Sequence, residues 1–162
     1  MGSIADLFVP LLASTDLTGT EPLDLTRGVR VVAIDPAGVG VAAAIQADLD
    51  RVLPSGAPVP GAPELRLEVR QDLDVEAYSL HVDETGAGIA SSGAPGLARG
   101  AATFRQLIDA SGETAMAAEV RDQPRFAWRG LLVDCVRHYL PLAALHRTID
   151  AMALAKLNVL HL

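Results

Sequence analysis

The chain has 162 residues, of which 50% are apolar and 20% charged, with a formal net charge of −7. This composition excludes a disordered chain, and the length predicts one compact domain or one domain with part of another. The acidic balance and the lack of a Lys/Arg block argue against nucleic acid as a partner, because phosphate recognition needs clustered cations.

No membrane span is expected, because no apolar run approaches the ~20 residues that a membrane helix needs. The N-terminus lacks a basic region and Asp6 interrupts its apolar residues, which is not typical of a signal peptide. A cytoplasmic location is the default expectation, or a secreted one if a leader has been removed. Cys135 is the only cysteine, so no intrachain disulfide can form, and we expect it to be a small core residue in a buried strand.

The first 34 residues predict an extended entry followed by a strand. Apolar residues within 1–22 have helical spacing, but Pro10 and the polar run 14–20 favour extended chain. Residues 23–34 then predict a strand with a bend at residues 27–28.

A helix is predicted over residues 39–53. Asp35 is a candidate N-cap and Pro36 a candidate first helical residue. The apolar stripe of this helix consists of Val41, Ile45, Leu49, Val52 and Leu53. Residues 54–63 contain four prolines and two glycines and predict a loop.

The middle of the chain predicts strands and a second helix. Residues 64–69 and 76–83 alternate between apolar and polar side chains, as half-buried strands do, and residues 87–91 complete a hairpin with the second of them. A helix is predicted over 95–110, where glycines weaken the pattern but permit close approach to a sheet. A last strand is predicted over 117–120. The expected fold is therefore α+β, an antiparallel-rich sheet with two helices on one face.

The last segment, 124–162, predicts a strand, a helix and the start of another strand. Residues 131–136 are an apolar run broken only by Asp134, as in a strand buried on both faces. Pro141 suits the first turn of a helix whose apolar face is Leu142, Leu145, Ile149, Met152 and Ala153. Asn158 is the expected helix end, and 159–162 begins the next strand. Such a βαβ unit needs a larger parallel sheet to cover it.

This last segment resembles the start of the catalytic (β/α)8 barrel of family-20 glycoside hydrolases, the β-N-acetylhexosaminidases. The matching residues are Pro124-Arg125-Phe126, Trp128-Arg129-Gly130, Asp134, Arg137-His138, Ile149-Asp150, Met152-Ala153, Lys156-Leu157-Asn158 and His161. The preceding region is similar to the small domain before that barrel, through Glu76-Ala77-Tyr78, Gly86, Gly93, Gly100, Thr103 and Gln106-Leu107.

The resemblance implies an N-terminal α+β domain over residues 1–123 and, over 124–162, the first strand, first helix and start of the second strand of an incomplete barrel. The implied activity is exo-hydrolysis of terminal β-linked GlcNAc or GalNAc, with the substrate's own acetamido group as nucleophile and with retention of configuration. The family's catalytic Asp-Glu pair matches no residue of this chain, so no catalytic residue is assigned and this chain alone is expected to be inactive. No metal or organic cofactor is implied.

Arg137 is the one substrate-binding residue that the resemblance assigns, to hydroxyls of the terminal N-acetylhexosamine. It follows the predicted first barrel strand, and the carboxyl ends of barrel strands face the active site. From spacing alone, a surface arginine next to a histidine is the favoured interpretation, and the resemblance to the family reverses that preference. Asp134 is expected to be a buried carboxylate paired with Arg137 or Arg129 rather than a catalytic acid.

The histidines do not predict a metal site. His138 and His146 lack acidic or cysteine companions at ligand spacing, His81 is expected to be exposed, and His161 is expected to pack near the pocket. The glycines at 86 and 88 lie in a hairpin turn, which argues against a dinucleotide site.

An alternative function is a non-catalytic scaffold, docking or sugar-binding module, because the catalytic pair is missing. A glycan titration of the chain distinguishes the sugar-binding version. In either case the apolar faces of the βαβ unit are unfavourable when exposed to water. We therefore expect self-association or folding back onto the N-terminal sheet.

Overall fold

A computed structural model describes residues 8, 10, 12–17 and 21–162. It divides into two compact units, Met1–Gln123 and Pro124–Leu162. Part of the predicted entry at 1–22 lies outside the described residues, but residues 14–16 form a strand, consistent with extended chain there. None of the helices in the described parts of the chain is long and apolar enough to span a membrane.

The first unit contains eight strands, two α-helices and one short 3-10 helix among its described residues. In chain order these are β1 (Ser14–Asp16), β2 (Leu23–Asp24), β3 (Arg30–Ala33), the 3-10 helix (Pro36–Gly38), α1 (Val39–Val52), β4 (Glu64–Val69), β5 (Tyr78–Asp83), β6 (Gly86–Ser91), α2 (Ala94–Leu107), β7 (Thr114–Ala115) and β8 (Ala118–Asp122). The second unit consists of β9 (Gly130–Leu132), α3 (Leu142–Leu154) and β10 (Val159–His161).

Six strands of the first unit form one mixed sheet in the order β1-β8-β5-β6-β4-β3. The pairings β1–β8, β8–β5 and β5–β6 are antiparallel, whereas β6–β4 and β4–β3 are parallel. The predicted α+β class and the predicted hairpin are therefore confirmed. The predicted strand 23–34 is in fact two strands, because Gly28, with a φ of +78°, turns the chain between them. Its first part, β2, pairs with β7 outside the main sheet.

The sheet buries one face beneath both helices. Strand positions on that face join buried residues of α1 and α2 in one apolar cluster, which includes Leu65, Leu67, Leu80, Val82, Ile89, Ile45, Leu49, Leu97 and Phe104. The alternate strand positions, such as Arg66, His81 and Glu119, are exposed. This is the alternation that the sequence predicted, since each strand places successive side chains on opposite faces.

Asp35 occupies the N-cap position of the 3-10 helix and Pro36 begins that helix, as predicted, but the Asp35 side chain does not cap it. Its side chain makes no cap hydrogen bond and instead accepts the backbone N–H of Val69 at 2.9 Å. The carboxylate therefore ties the start of the helical segment to the end of β4, a long-range contact that local spacing does not encode.

Glycines let α2 lie directly on β6. A Cβ at Gly96 would lie 1.9 Å from Ser91 Oγ and 2.6 Å from the carbonyl oxygen of Ala77, and one at Gly100 would lie 2.5 Å from Ile89 Cγ2. Ser91 Oγ donates to that same Ala77 carbonyl at 2.7 Å. The glycines that weaken the helical pattern are thus required by the packing.

Polar groups are also buried at this contact. The hydroxyl of Tyr78 donates to Asp122 Oδ2 at 2.9 Å and lies 2.6 Å from Thr103 Oγ1. Burial raises the pKa of Tyr78 well above its usual range, so the phenol stays protonated and available as a donor. These contacts link α2 to β5 and β8.

We predict that Gly96→Ala destabilises the protein by about 1–3 kcal/mol, because the added methyl group overpacks the contact with Ser91 and Ala77. The matched control is Gly40→Ala in α1, where a Cβ meets no atom within 4 Å. That change is expected to stabilise the protein by about 0.4–1 kcal/mol. Urea unfolding of the two variants measures both effects, and equal midpoints would contradict the packing described.

Candidate functional site

The second unit is a single strand–helix–strand motif. β9 and β10 are parallel, with Gly130 opposite Val159, Leu131 opposite Leu160 and Leu132 opposite His161. The N–H of Val133 donates to the carbonyl of His161 at 2.9 Å, just beyond the last pair. The loop that leads to α3 therefore leaves the sheet at a defined point.

Asn158 and Arg129 fix this pairing at its other end. Asn158 Oδ1 accepts the N–H of Arg129 at 2.9 Å, and its Nδ2 donates to the carbonyl of Ala127 at 2.8 Å. Arg129 Nε donates to the carbonyl of Lys156 at 2.9 Å, and Nη1 to that of Phe126 at 2.7 Å. We call these contacts the Arg129–Asn158 clamp.

The clamp also explains two features that sequence spacing missed. Lys156, which follows α3, has a φ of +58°, and the clamp holds the carbonyl of this left-handed residue. Asn158, predicted as the helix end, lies four residues beyond the last helical residue and acts instead as a clamp between segments. Only the resemblance of Lys156-Leu157-Asn158 to the family indicated that these residues matter; their spacing did not predict the clamp.

Asp134 and Arg137 form a compact loop immediately after β9. Asp134 Oδ1 accepts the backbone N–H groups of Val136 and Arg137, both at 3.0 Å. Asp134 Oδ2 accepts a hydrogen bond from Arg137 Nε. The Arg137 backbone N–H, first, and its guanidinium, second, hold the pKa of Asp134 below its usual range. Of the two partners predicted for Asp134, Arg137 is the one observed.

The expectation of a strand buried on both faces over 131–136 is wrong. β9 ends at Leu132, whose side chain is 65% exposed, and Val136 is 95% exposed. Asp134 lies in the loop with 30% of its side chain exposed, so it is not the buried carboxylate expected. Cys135 lies in the same loop and is partly exposed rather than a core residue. Within the described residues β9 pairs only with β10, so most of this apolar run has no sheet neighbour.

The apolar face predicted for the last helix is also largely uncovered. Of its five residues only Met152 is buried. The large apolar side chains of this unit that are exposed are Phe126, Trp128, Leu131, Leu132, Val136, Tyr139, Leu142, Ile149 and Leu162. We call these nine exposed side chains together the apolar face of the second unit.

The histidines do not meet in a metal site. Among the described residues no group of three His, Cys, Asp or Glu side chains could hold a metal ion. His81 is exposed, as predicted, and its ring nitrogens lie 2.9 Å from Asp83 Oδ2 and 2.5 Å from Glu119 Oε1. The carboxylate of Asp83, with that of Glu119, raises the pKa of His81.

A separate cleft of about 490 Å³ lies within the first unit. Its charged lining includes Arg70, Asp72, Arg121 and Asp122. Arg70 pairs with Asp72 at 2.8 Å, and Asp122 accepts from the Tyr78 hydroxyl. Much of this polar lining therefore already forms ion pairs or hydrogen bonds within the protein.

Two models of glycosyl hydrolase family 20 match this chain. The family's domain 2 matches residues 8–123 and its catalytic domain matches residues 126–162. Sequence relatives are named as hexosaminidases: a Beta-N-acetylhexosaminidase of Cellulomonas fimi is 38% identical over 175 residues, which cover 100% of this chain and 34% of that protein. A Beta-hexosaminidase of Akkermansia muciniphila is 40% identical over 119 residues, covering 65% of this chain and 24% of that protein.

Solved structures of hexosaminidases are also similar to this chain. The GH20 beta-N-acetylhexosaminidase from Streptomyces coelicolor A3(2) matches with a TM-score of 0.81 and 29% identity, over 98% of this chain and 35% of that chain. A mutant Streptomyces plicatus beta-hexosaminidase in complex with its product GlcNAc matches with a TM-score of 0.79 and 28% identity, over 98% and 34% of the two chains. The chain thus spans only 34% and 24% of the two sequence relatives described above.

Sequence, fold and family models agree, and the chain belongs to glycosyl hydrolase family 20.

Proposed function

We propose that this chain is the N-terminal part of an exo-β-N-acetylhexosaminidase that hydrolyses terminal β-linked GlcNAc or GalNAc. One relative is named a Beta-N-acetylhexosaminidase, and a solved beta-hexosaminidase of similar structure is in complex with its product GlcNAc. The observation that carries the proposal within this chain is Arg137, which lies in the loop five residues after the end of β9 with its side chain 84% exposed.

The chain's organisation under this proposal has two parts. Residues 1–123 form the α+β domain that precedes the barrel, and residues 124–162 supply the first strand, first helix and second strand of the catalytic (β/α)8 barrel. The division into two units at residue 124 and the parallel pairing of β9 with β10 support it. The carboxyl ends of barrel strands surround the active site, and Arg137 follows the carboxyl end of β9.

The chemistry proposed for the whole enzyme is substrate-assisted and retaining. The acetamido oxygen of the substrate attacks the anomeric carbon, a glutamate protonates the leaving oxygen and a neighbouring aspartate orients the acetamide. We propose that this acidic pair lies in the part of the enzyme beyond residue 162, since this chain spans only 34% and 24% of its two relatives. Arg137 contributes binding, because a guanidinium donates well-oriented hydrogen bonds to neighbouring hydroxyls and stays charged at any working pH.

The test of this activity compares two proteins. A longer protein that continues through the barrel is expected to release chromophore from a chromogenic β-GlcNAc or β-GalNAc substrate, whereas the 162-residue chain is expected to release none. An inactive longer protein that is folded would rule out the proposed activity. Activity in the 162-residue chain would show that the acidic pair is not needed.

We predict that Arg137→Ala in the longer enzyme lowers kcat/KM tenfold to hundredfold. Charge-assisted hydrogen bonds of this kind contribute about 1.5–3 kcal/mol each, and about 1.4 kcal/mol corresponds to a factor of ten. Arg137→Lys should recover little, because an ammonium group cannot reproduce the planar fork of the guanidinium. Steady-state kinetics on the chromogenic substrate measure both variants.

The matched control is Arg147→Ala, which removes another exposed arginine of the same unit, on α3. It should leave kcat/KM unchanged. Because the Arg137–Asp134 pair is itself exposed, the melting temperature of Arg137→Ala should stay close to that of the parent. A large fall in melting temperature with normal kcat/KM in the folded fraction would make Arg137 structural instead.

We further propose that the apolar face of the second unit is covered by other barrel elements in the longer enzyme and by self-association in the 162-residue chain. Trp128, Leu132 and Tyr139 are each exposed by 65% or more. Sedimentation velocity over a concentration series is expected to show oligomers whose population rises with concentration. Leu132→Lys should weaken them, whereas Val75→Lys, at an exposed apolar position of the first unit, should not. A protease-resistant monomer at all concentrations would contradict this proposal.

A further inference from the structure

The two oxygens of Asp134 serve different partners. Oδ1 accepts the backbone N–H groups of Val136 and Arg137 and so closes the loop after β9. Oδ2 accepts Nε of the Arg137 side chain. One carboxylate therefore shapes the loop and orients the guanidinium that the loop carries.

This arrangement leaves the outer edge of the guanidinium open. No second contact of the Arg137 side chain occurs among the described residues, so the N–H groups on Nη1 and Nη2 remain available to donate. An arginine loses much rotamer freedom when it is fixed by a ligand, and a partner that already holds the side chain reduces this loss on binding. Asp134, through its hydrogen bond with Nε, is such a partner.

Asp134 itself is poorly suited to touch substrate or to transfer a proton. Its two oxygens together accept three N–H groups of its own loop. Hydrogen bonds to the charged form of a carboxylate favour that form, so Asp134 has no proton to give at a working pH above its lowered pKa.

We propose that Asp134 is a positioning residue for sugar binding: it holds Nε of Arg137 so that both Nη groups face the hydroxyls of the terminal sugar. This inference rests on the proposed role of Arg137 in the hexosaminidase. It adds a residue that acts only through Arg137, and that dependence makes it testable apart from the proposed function.

The test is a double-mutant cycle in the longer enzyme. Asp134→Asn keeps a carbonyl oxygen for the two loop amides but replaces Oδ2 by an NH₂ group, which cannot accept from Nε. We expect kcat/KM to fall about threefold to tenfold, mostly through KM, since the lost contact supports substrate and transition state alike. In an Arg137→Ala background the same change should have almost no further effect, because the group that Asp134 positions is gone.

Two further variants keep the result clear. Asp134→Ser retains an oxygen that can accept loop amides but is too short to reach Nε, so it should repeat the effect of Asp134→Asn if that variant is unstable. Asp72→Asn is the matched control, because Asp72 is likewise a loop carboxylate that accepts from the Nε of a nearby arginine, Arg70, but it lies in the first unit. It should leave kinetics unchanged.

The outcomes separate the two claims. If Arg137→Ala lowers kcat/KM and Asp134→Asn does not, or lowers it equally in both backgrounds, Asp134 does not act through Arg137 and the inference is overturned while the proposed function stands. If Arg137→Ala has no effect on a folded, active enzyme, the role proposed for Arg137 fails and the inference fails with it.

Discussion

The apolar side chains of a sheet must be covered, and the two units of this chain meet that constraint to different extents. In the first unit both helices lie over one face of the six-stranded sheet, and residues such as Leu65, Leu80 and Phe104 are fully buried. In the second unit, β9 has a single neighbour, β10, among the residues that the structure describes, and Leu132 stays exposed. Burial of apolar area is the main favourable contribution to folding, so the second unit alone has less to stabilise it. The proposal of a larger barrel follows from this difference together with the family match.

Polar contacts hold the second unit where apolar burial does not. The Arg129–Asn158 clamp fixes the ends of β9 and β10, and the N–H of Val133 bonds to the carbonyl of His161 at the other end. Because the register is set, β9 ends at Leu132 and the Asp134 loop follows at once. The position of Arg137 is thus a consequence of backbone pairing several residues away.

The parts of the fold that could be predicted are those encoded by local pattern. Residues 64–69 alternate because β4 buries one face only, and the hairpin of β5 and β6 is marked by its turn. The run 131–136 was misjudged for a related reason, since an apolar run indicates burial on both faces only when strands and helices are present to provide it. The contact of the Asp35 side chain could not be predicted, because its partner, Val69, is 34 residues away. At the site, charge and spacing could narrow the partner of Asp134 to Arg137 or Arg129. Which arginine it pairs with, and which of its oxygens accepts from which group, depend on loop geometry.

The most direct measurement of the central claim is a crystal structure of the longer enzyme with N-acetylglucosamine bound. The account predicts an Nη atom of Arg137 within about 3.2 Å of a sugar hydroxyl oxygen, a normal hydrogen-bond distance, with Nε still on Asp134 Oδ2. A structure in which Arg137 is directed away from the bound sugar, or in which the Asp134 carboxylate itself contacts the sugar, would contradict it.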